Sequence, residues 1–440
     1  MNDRSSPQVS SRFFYGWTVV GISVLTLTLA YGTRSSFSIF FVAMLEEFSW
    51  SRAALSAAFS IHSIVASVGV PLAGALIDRF GPRCIFPLGA AILALGLVAT
   101  SRIHTLWQFY LCFGLIMALG RSMLSMGPHS AILANWFVRY RGTAMGIASA
   151  GPGMGMFLLS PLMQLLISSF GWRIAYLVFA GLILSLIPLL LTFQRLRPAE
   201  LGLSPDGVTE KESPSSPQKR REVEIVDPVW AAEEWTPAKA MRTYRFWVLF
   251  GAFLFGNLTT IVLVHQVAFL VDVGYSKLFA ASIFGLIGIL TSLSTILFGT
   301  LSDRIGREAA YTIQTISALI AIALLLMIKD PSRPWLLYLY ALLFGLGSRQ
   351  SLPAMAADIF QGRHFGAIYG ILAFGIAIDH IVGPWLGGYL FDLWHSYTIP
   401  FLASWVGVLL GCLCVWIAAP RKVRRVRRSP SPEAPIANSS

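Results

Sequence analysis

The stretch GALIDRFGPR, Gly74 to Arg83, comes back in altered form as GTLSDRIGRE, Gly299 to Glu308, 225 positions later. A second pair, RGTAMGI from Arg141 and FGAIYGI from Phe365, stands 224 positions apart. Two independent pairs at nearly one offset indicate a duplicated unit. Each ten-residue copy is a short polar link between long apolar runs, so the duplicated unit is a set of membrane-crossing helices.

Outward from these links, twelve apolar runs are each long enough to cross a hydrocarbon core of about 30 Å. Their approximate cores, numbered helices 1 to 12, are 16–43, 54–76, 84–101, 106–135, 142–168, 173–193, 245–271, 279–300, 309–328, 335–357, 366–391 and 398–419. Composition agrees: of 440 residues 55% are hydrophobic and only 12% charged, unlike a soluble domain. The expected fold is therefore all-α and integral to the membrane, with twelve transmembrane helices in two pseudo-symmetric six-helix bundles. The bundles are residues 1–193 and 245–420, joined by a linker at 194–244 and followed by a basic tail at 421–440.

The net charge of +12 follows membrane orientation rather than a nucleic-acid surface. With the amino terminus in the cytoplasm, 24 Lys and Arg fall on that side, 6 on the other, and Arg34, Arg121 and Arg349 lie within the membrane. Both termini are thus expected in the cytoplasm. The apolar start near Phe13 lacks a small-residue cleavage site and reads as a retained helix. The linker, with its EKESPSSPQKRREVE run, has the composition of a solvated, largely disordered connection with room for a short surface helix. The tail suits contact with anionic lipid head groups. Cys84, Cys112, Cys412 and Cys414 have neither C-x-x-C nor metal-ligand spacing.

GALIDRFGPR resembles the G-x-x-x-D-R-x-G-x-R loop of the major facilitator superfamily, in the expected place between helices 2 and 3, with its degenerate copy between helices 8 and 9. Gly74 and Gly81 suit a close helix approach and a tight turn, and the charges suit pairing with helix ends in one conformation only. Asp78, Arg79 and Arg83, with Asp303, Arg304 and Arg307 in the second copy, are therefore expected gating residues. A narrower likeness is carried by YGWTVVGIS, YGTRSSFSIFF with LEEFSWSRA, NWFVRYRGTAMGIASAG and VHQVAFLVDVGYS. These are similar to the bacterial branch holding monocarboxylate transporters and oxalate/formate antiporters. That resemblance implies alternating access in a bacterial inner membrane, a central cavity lined mainly by helices 1, 4, 7 and 10, and a small carboxylate bound near the pseudo-twofold axis.

The unusual charges sit on those helices: Arg34 on helix 1, Arg121 on helix 4, His265 toward the outer end of helix 7, and Arg349 on helix 10. Arg121 lies roughly 18 Å along its helix from Phe109, too deep to snorkel easily, and at roughly 3 kcal/mol or more on insertion scales such a residue is expected to be functional. Against three arginines stands one deep carboxylate, Asp379, so the cavity is expected to favour anions, with guanidinium forks gripping a carboxylate. Arg121 and Arg349 are the expected main ligands, with Arg34 and His265 beside them, and His62 is read as packing. Asp379 and His380 are the candidates for proton coupling. As neighbours they point about 100° apart and cannot both face one cavity, and Asp379 is preferred.

Helix 8 lacks the arginine of oxalate exchangers and the Asp/Arg pair of animal lactate transporters, and Asp379 stands where oxalate exchangers place a lysine. Simple oxalate exchange is thus disfavoured. The expected activity is proton symport of a small organic anion, a monocarboxylate, by a monomer without cofactor, metal site or catalytic residues. Carboxylate exchange and proton-linked drug efflux are the alternatives, the second prompted by GIASAGPGMGMFLLSP on helix 5 and opposed by the excess of positive charge. No nucleophile elbow, phosphate loop or metal spacing supports an enzyme.

Overall fold

Helices begin where the sequence offers hydroxyl caps. Ser51, Thr105, Thr243 and Ser276 each accept a backbone N–H from the first turn of the helix they precede. The computed structural model describes residues 14–207, 223–348 and 351–426. Among these, eleven helices are long and apolar enough to cross a membrane. Helices 1 to 6 are Gly16–Phe48, Arg52–Phe80, Pro82–Thr100, Leu106–Trp136, Arg141–Phe170 and Trp172–Phe193. Helix 7 is Tyr244–Val273, helix 8 Lys277–Ile305, helix 9 Arg307–Met327, helix 11 Phe365–Trp394 and helix 12 Thr398–Ala418. Helix 10 completes the twelve as two pieces, Trp335–Leu346 and Leu352–Ile359. At about 1.5 Å per residue neither piece alone crosses the core.

The repeated link explains its own glycines only in part. Gly81 and Gly306 take φ of 77° and 96°, a backbone region that a Cβ disfavours, so helices 3 and 9 restart at once beyond the turn. Gly74 serves no close approach here: a methyl group placed on it would meet nothing within 4 Å.

The two halves touch chiefly through two symmetry-related helix pairs, 5 with 8 and 2 with 11, and also where helix 1 meets helix 7. Small residues allow it. A Cβ on Gly153 would lie 2.3 Å from the Gly288 carbonyl, and one on Gly388 would lie 2.6 Å from that of Arg52. Ser292 Oγ donates across the first seam to Ala150 O at 3.4 Å. At the end bearing the linker, by contrast, small residues of these helices meet open space. Methyl groups on Gly146 of helix 5, Gly299 of helix 8 and Gly370 of helix 11 would meet nothing within 4 Å. The molecule is therefore shut at the short-loop end and open at the linker end.

The described parts of the linker are held against the two halves and include short helices, Pro228–Ala232 and Pro237–Met241, while the EKESPSSPQKRREVE run expected to be disordered lies almost wholly outside the described residues. Asp206 accepts the backbone N–H groups of Val138 at 2.9 Å and Arg139 at 2.7 Å, and Trp136 Nε1 donates to Arg195 O at 3.0 Å, tying the linker's start to the first half. Its end is held on the second half, where Trp230 Nε1 donates to Ile359 O at 2.9 Å and the Trp230 and Trp235 rings pack 4.4 Å apart. Two short strands, β1 (Val223–Ile225) and β2 (Arg424–Val426), pair antiparallel and join linker to tail. The tryptophans are the physical reason: aromatic area of this size is buried when a groove is within reach.

Candidate functional site

Helices 1, 4, 7 and 10 are interrupted in mid-membrane, as are helices 5 and 6 at Ala150 and Ser185. Helix 1 bends at Ser36, between Gly16–Ser35 and Phe37–Phe48. Helix 4 stops at Met123 and restarts at Met126, with Leu124 at φ −97° and ψ 16°. Helix 7 opens between Phe255 and Thr259, where Asn257 turns its amide back onto Phe253 O at 2.7 Å. Helix 10 stops at Leu346. The sequence supports the breaks: Pro128 and Pro353, 225 positions apart, each fall in the first turn of the restarted segment, where a proline costs no hydrogen bond. Irregular backbone at membrane depth is tolerated where it lines a cavity.

A cavity of about 450 Å³ lies between the halves at these breaks. Tyr31, Arg34 and Ser38 reach it from helix 1, Asn257 and Thr260 from helix 7, and His380 from helix 11. The remaining wall is largely apolar, with Phe59, Met156, Leu263, Phe284, Ile287 and Phe344. The repeat shows in the lining, since Met156 and His380, 224 positions apart, both face the space.

Arg34 is the cation of this cavity. Its guanidinium lies over the Phe59 ring, 4.5 Å from the centroid, and makes no hydrogen bond or ion pair among the described residues. Arg121 is placed differently: it is 6% exposed, does not line the cavity, and stands beside the Tyr31 ring at 5.3 Å. Its Nε donates to His62 Nε2 at 2.9 Å, and His62 Nδ1 is 3.1 Å from Phe113 O. The chain of bonds assigns the ring proton to Nδ1, which donates to the carbonyl while Nε2 accepts. His62 is thus a packing residue that also satisfies a buried arginine. Arg349 lies outside the described residues and follows Ser348, a cavity-lining residue, in the sequence.

Asp379 and His380 divide as their 100° separation requires. His380 lines the cavity, whereas Asp379, 1% exposed, accepts a hydrogen bond from Thr260 Oγ1 at 2.8 Å on helix 7. Arg34 remains within Coulombic reach of both Arg121 and Asp379. His265 does not join them. It is buried in the closed seam, with Nε2 2.9 Å from Pro384 O and 3.4 Å from Ser56 Oγ, and a Cβ on Gly387 would strike its ring. The expectation of His265 as a ligand is corrected by that geometry: its ring nitrogen faces a backbone carbonyl and not the cavity.

The linking charges make contacts within their own halves in this conformation. Arg83 Nη2 donates to Thr192 O at 3.1 Å, and Arg307 pairs with Asp358. Asp78, Arg79 and Arg304 are exposed at the open end, and the side chain of Asp303 lies outside the described residues. The closed end carries a cluster that the sequence did not announce: Arg52 pairs with Asp272 at 2.8 Å, Asp392 accepts the N–H groups of Arg52 and Ala53, and Lys277 pairs with Glu46 at 2.6 Å. These residues come from distant parts of the chain and carry no local motif.

Comparisons with known proteins accord with this geometry. The chain is 26% identical to monocarboxylate transporter 12 of Rattus norvegicus, over 95% of its own length and 88% of that protein's. It is 28% identical to monocarboxylate transporter 13 of Bos taurus, over 90% and 88%. A crystal structure of a bacterial homologue of the human lysosomal transporter Spinster, inward-facing and unoccupied, superposes with a TM-score of 0.70 at 16% identity, covering 95% of this chain and 99% of that one. The sequence profile of the Major Facilitator Superfamily matches residues 23–349. The protein is a multi-pass membrane transporter and not an enzyme, and its chain belongs to the Major Facilitator Superfamily.

Proposed function

We propose that the protein carries a small organic anion, a monocarboxylate, across a bacterial inner membrane by proton symport with alternating access. The observation that carries this reading is Arg34, a cation on the cavity wall with no hydrogen bond or ion pair among the described residues. A planar guanidinium grips a carboxylate with two parallel N–H donors, and a largely apolar surround strengthens that grip. Arg121 behind Tyr31 adds to the positive field, and among the described residues no acidic excess in the cavity lining favours a cationic solute. The names of the curated relatives support the carboxylate assignment.

Asp379 and His380 are the proton-carrying pair in this reading, one buried against Thr260 and the other on the cavity wall. The linker, both termini and the open end face the cytoplasm, in keeping with the distribution of 24 and 6 basic residues. The molecule acts as a monomer, with its basic tail against anionic lipid. The test is uptake of labelled carboxylates by proteoliposomes, with and without an imposed inward proton gradient. Gradient-stimulated uptake that disappears in Arg34→Gln is the expected result. Uptake of amines in preference to acids would overturn the reading.

A further inference from the structure

The cavity selects by more than charge. Its C-terminal wall, Phe284 and Ile287 on helix 8 with Phe344 on helix 10, is apolar. Several of the hydroxyl and amide donors that border the cavity are spent within the protein. Ser38 donates to Leu263 O at 2.9 Å, Thr260 to Asp379 at 2.8 Å, and Asn257 Nδ2 to Phe253 O at 2.7 Å. Tyr31, Thr291 and His380 remain as polar groups on the wall, too few to replace the full hydration of a hydroxyl-rich solute.

Size argues the same way. Propionate, a three-carbon acid, has five heavy atoms; allotting each as much room as a water, about 30 Å³, gives roughly 150 Å³. The cavity offers about 450 Å³. A solute that small leaves most of the aromatic wall facing water, while an aryl or branched alkyl body covers it and gains the hydrophobic contribution.

Resting on the anion reading above, we infer that the substrate is a monocarboxylate with a bulky apolar body, of the aryl-alkanoate or branched-chain class. Its carboxylate sits on Arg34 and its body against Phe284, Ile287 and Phe344. These three side chains determine specificity, and Arg34 determines charge.

The experiment measures displacement of labelled 3-phenylpropionate and of labelled propionate from the purified full chain in proteoliposomes. Competitors are propionate, 4-methylvalerate, 3-phenylpropionate and the neutral 3-phenylpropan-1-ol. The two larger acids are expected to compete at concentrations about tenfold or more below that of propionate, the discrimination an apolar pocket commonly supplies. Phe344→Ala should remove most of that advantage, so that 3-phenylpropionate competes little better than propionate in the same variant, and Ile287→Val, a milder change, should reduce it if the alanine variant does not fold. Equal competition by propionate and 3-phenylpropionate overturns the inference and leaves the anion reading standing. Equal competition by 3-phenylpropan-1-ol, or failure of both labelled acids to bind, overturns the anion reading itself.

Discussion

Asp392, near the end of helix 11, closes the start of helix 2 by accepting the backbone N–H of Arg52 at 3.1 Å, across 340 positions of sequence. Its other oxygen takes Ala53 N at 2.9 Å, so a carboxylate from one half caps a helix of the other. The Arg52 side chain completes the clasp, paired with Asp272 and lying 3.9 Å from the Phe391 ring centroid. A charge at a helix start contributes about 0.3–1 kcal/mol, up to about 2 when partly buried. Asp392→Ala combined with Asp272→Asn should therefore raise the population open at this face several-fold. The measurement is thiol labelling of a cysteine at Ser38 with a membrane-impermeant reagent from the short-loop side. Labelling that stays at the parent rate would show that the clasp does not hold the closed state.

Arg34→Lys keeps the charge and loses the two-point grip, so substrate affinity should fall by about tenfold, the scale of one charge-assisted hydrogen bond. Arg34→Gln should cost more. Equilibrium binding to purified protein measures both, with monodisperse elution as the folding control. Wild-type affinity in both variants would remove Arg34 from the site.

The fold was legible because membrane spanning leaves a strong trace in composition and the repeat confirmed the count. The site was legible only in outline. Arg121 and Arg34 look alike as intramembrane arginines, yet one bonds His62 and the other faces the cavity, a difference set by tertiary packing. The breaks in helices 4 and 10 had a signal, in Pro128 and Pro353, but a proline within an apolar run also occurs in continuous helices here, such as Pro71 and Pro384. Nothing in the sequence singles out Arg52, since Asp272 and Asp392 become its neighbours only when the halves meet. The linker's tryptophans were visible, but the groove that receives them was not.

Asp379→Asn should weaken acceleration of uptake by an inward proton gradient and leave substrate counterflow largely intact, because counterflow needs no net proton movement. Thr260 donates to either side chain, so packing is retained. Parallel assays in one liposome preparation separate the two activities. Undiminished gradient-driven uptake would move the proton site elsewhere, with His380 on the cavity wall the next candidate.

Orientation has its own test. A cysteine at Ser215 in the linker should be shielded from an impermeant reagent applied outside intact cells, and one at Asp330, between helices 9 and 10, should react. The reverse pattern would invert the topology and with it the side to which the cavity opens.

Arg121 should behave as a buried member of a pair. Its Nε donates to His62 Nε2 at 2.9 Å, and the histidine in turn meets Phe113 O at 3.1 Å, so three groups in a low-dielectric interior satisfy one another. Removing either partner leaves the other desolvated, at a cost of about 1–3 kcal/mol, more where the orphan is charged. His62→Ala and Arg121→Gln are each expected to lower thermal stability in detergent, and the double variant to lose less than the sum of the two, with a coupling of about 1 kcal/mol or more. Arg121→Lys should not rescue, because an ammonium on a flexible stem does not present the Nε donor at that place. Additive losses would mean that the hydrogen bond contributes nothing. In that case the arginine's retention at this depth would have to be explained by the solute, with a guanidinium that turns past Tyr31 to meet the carboxylate.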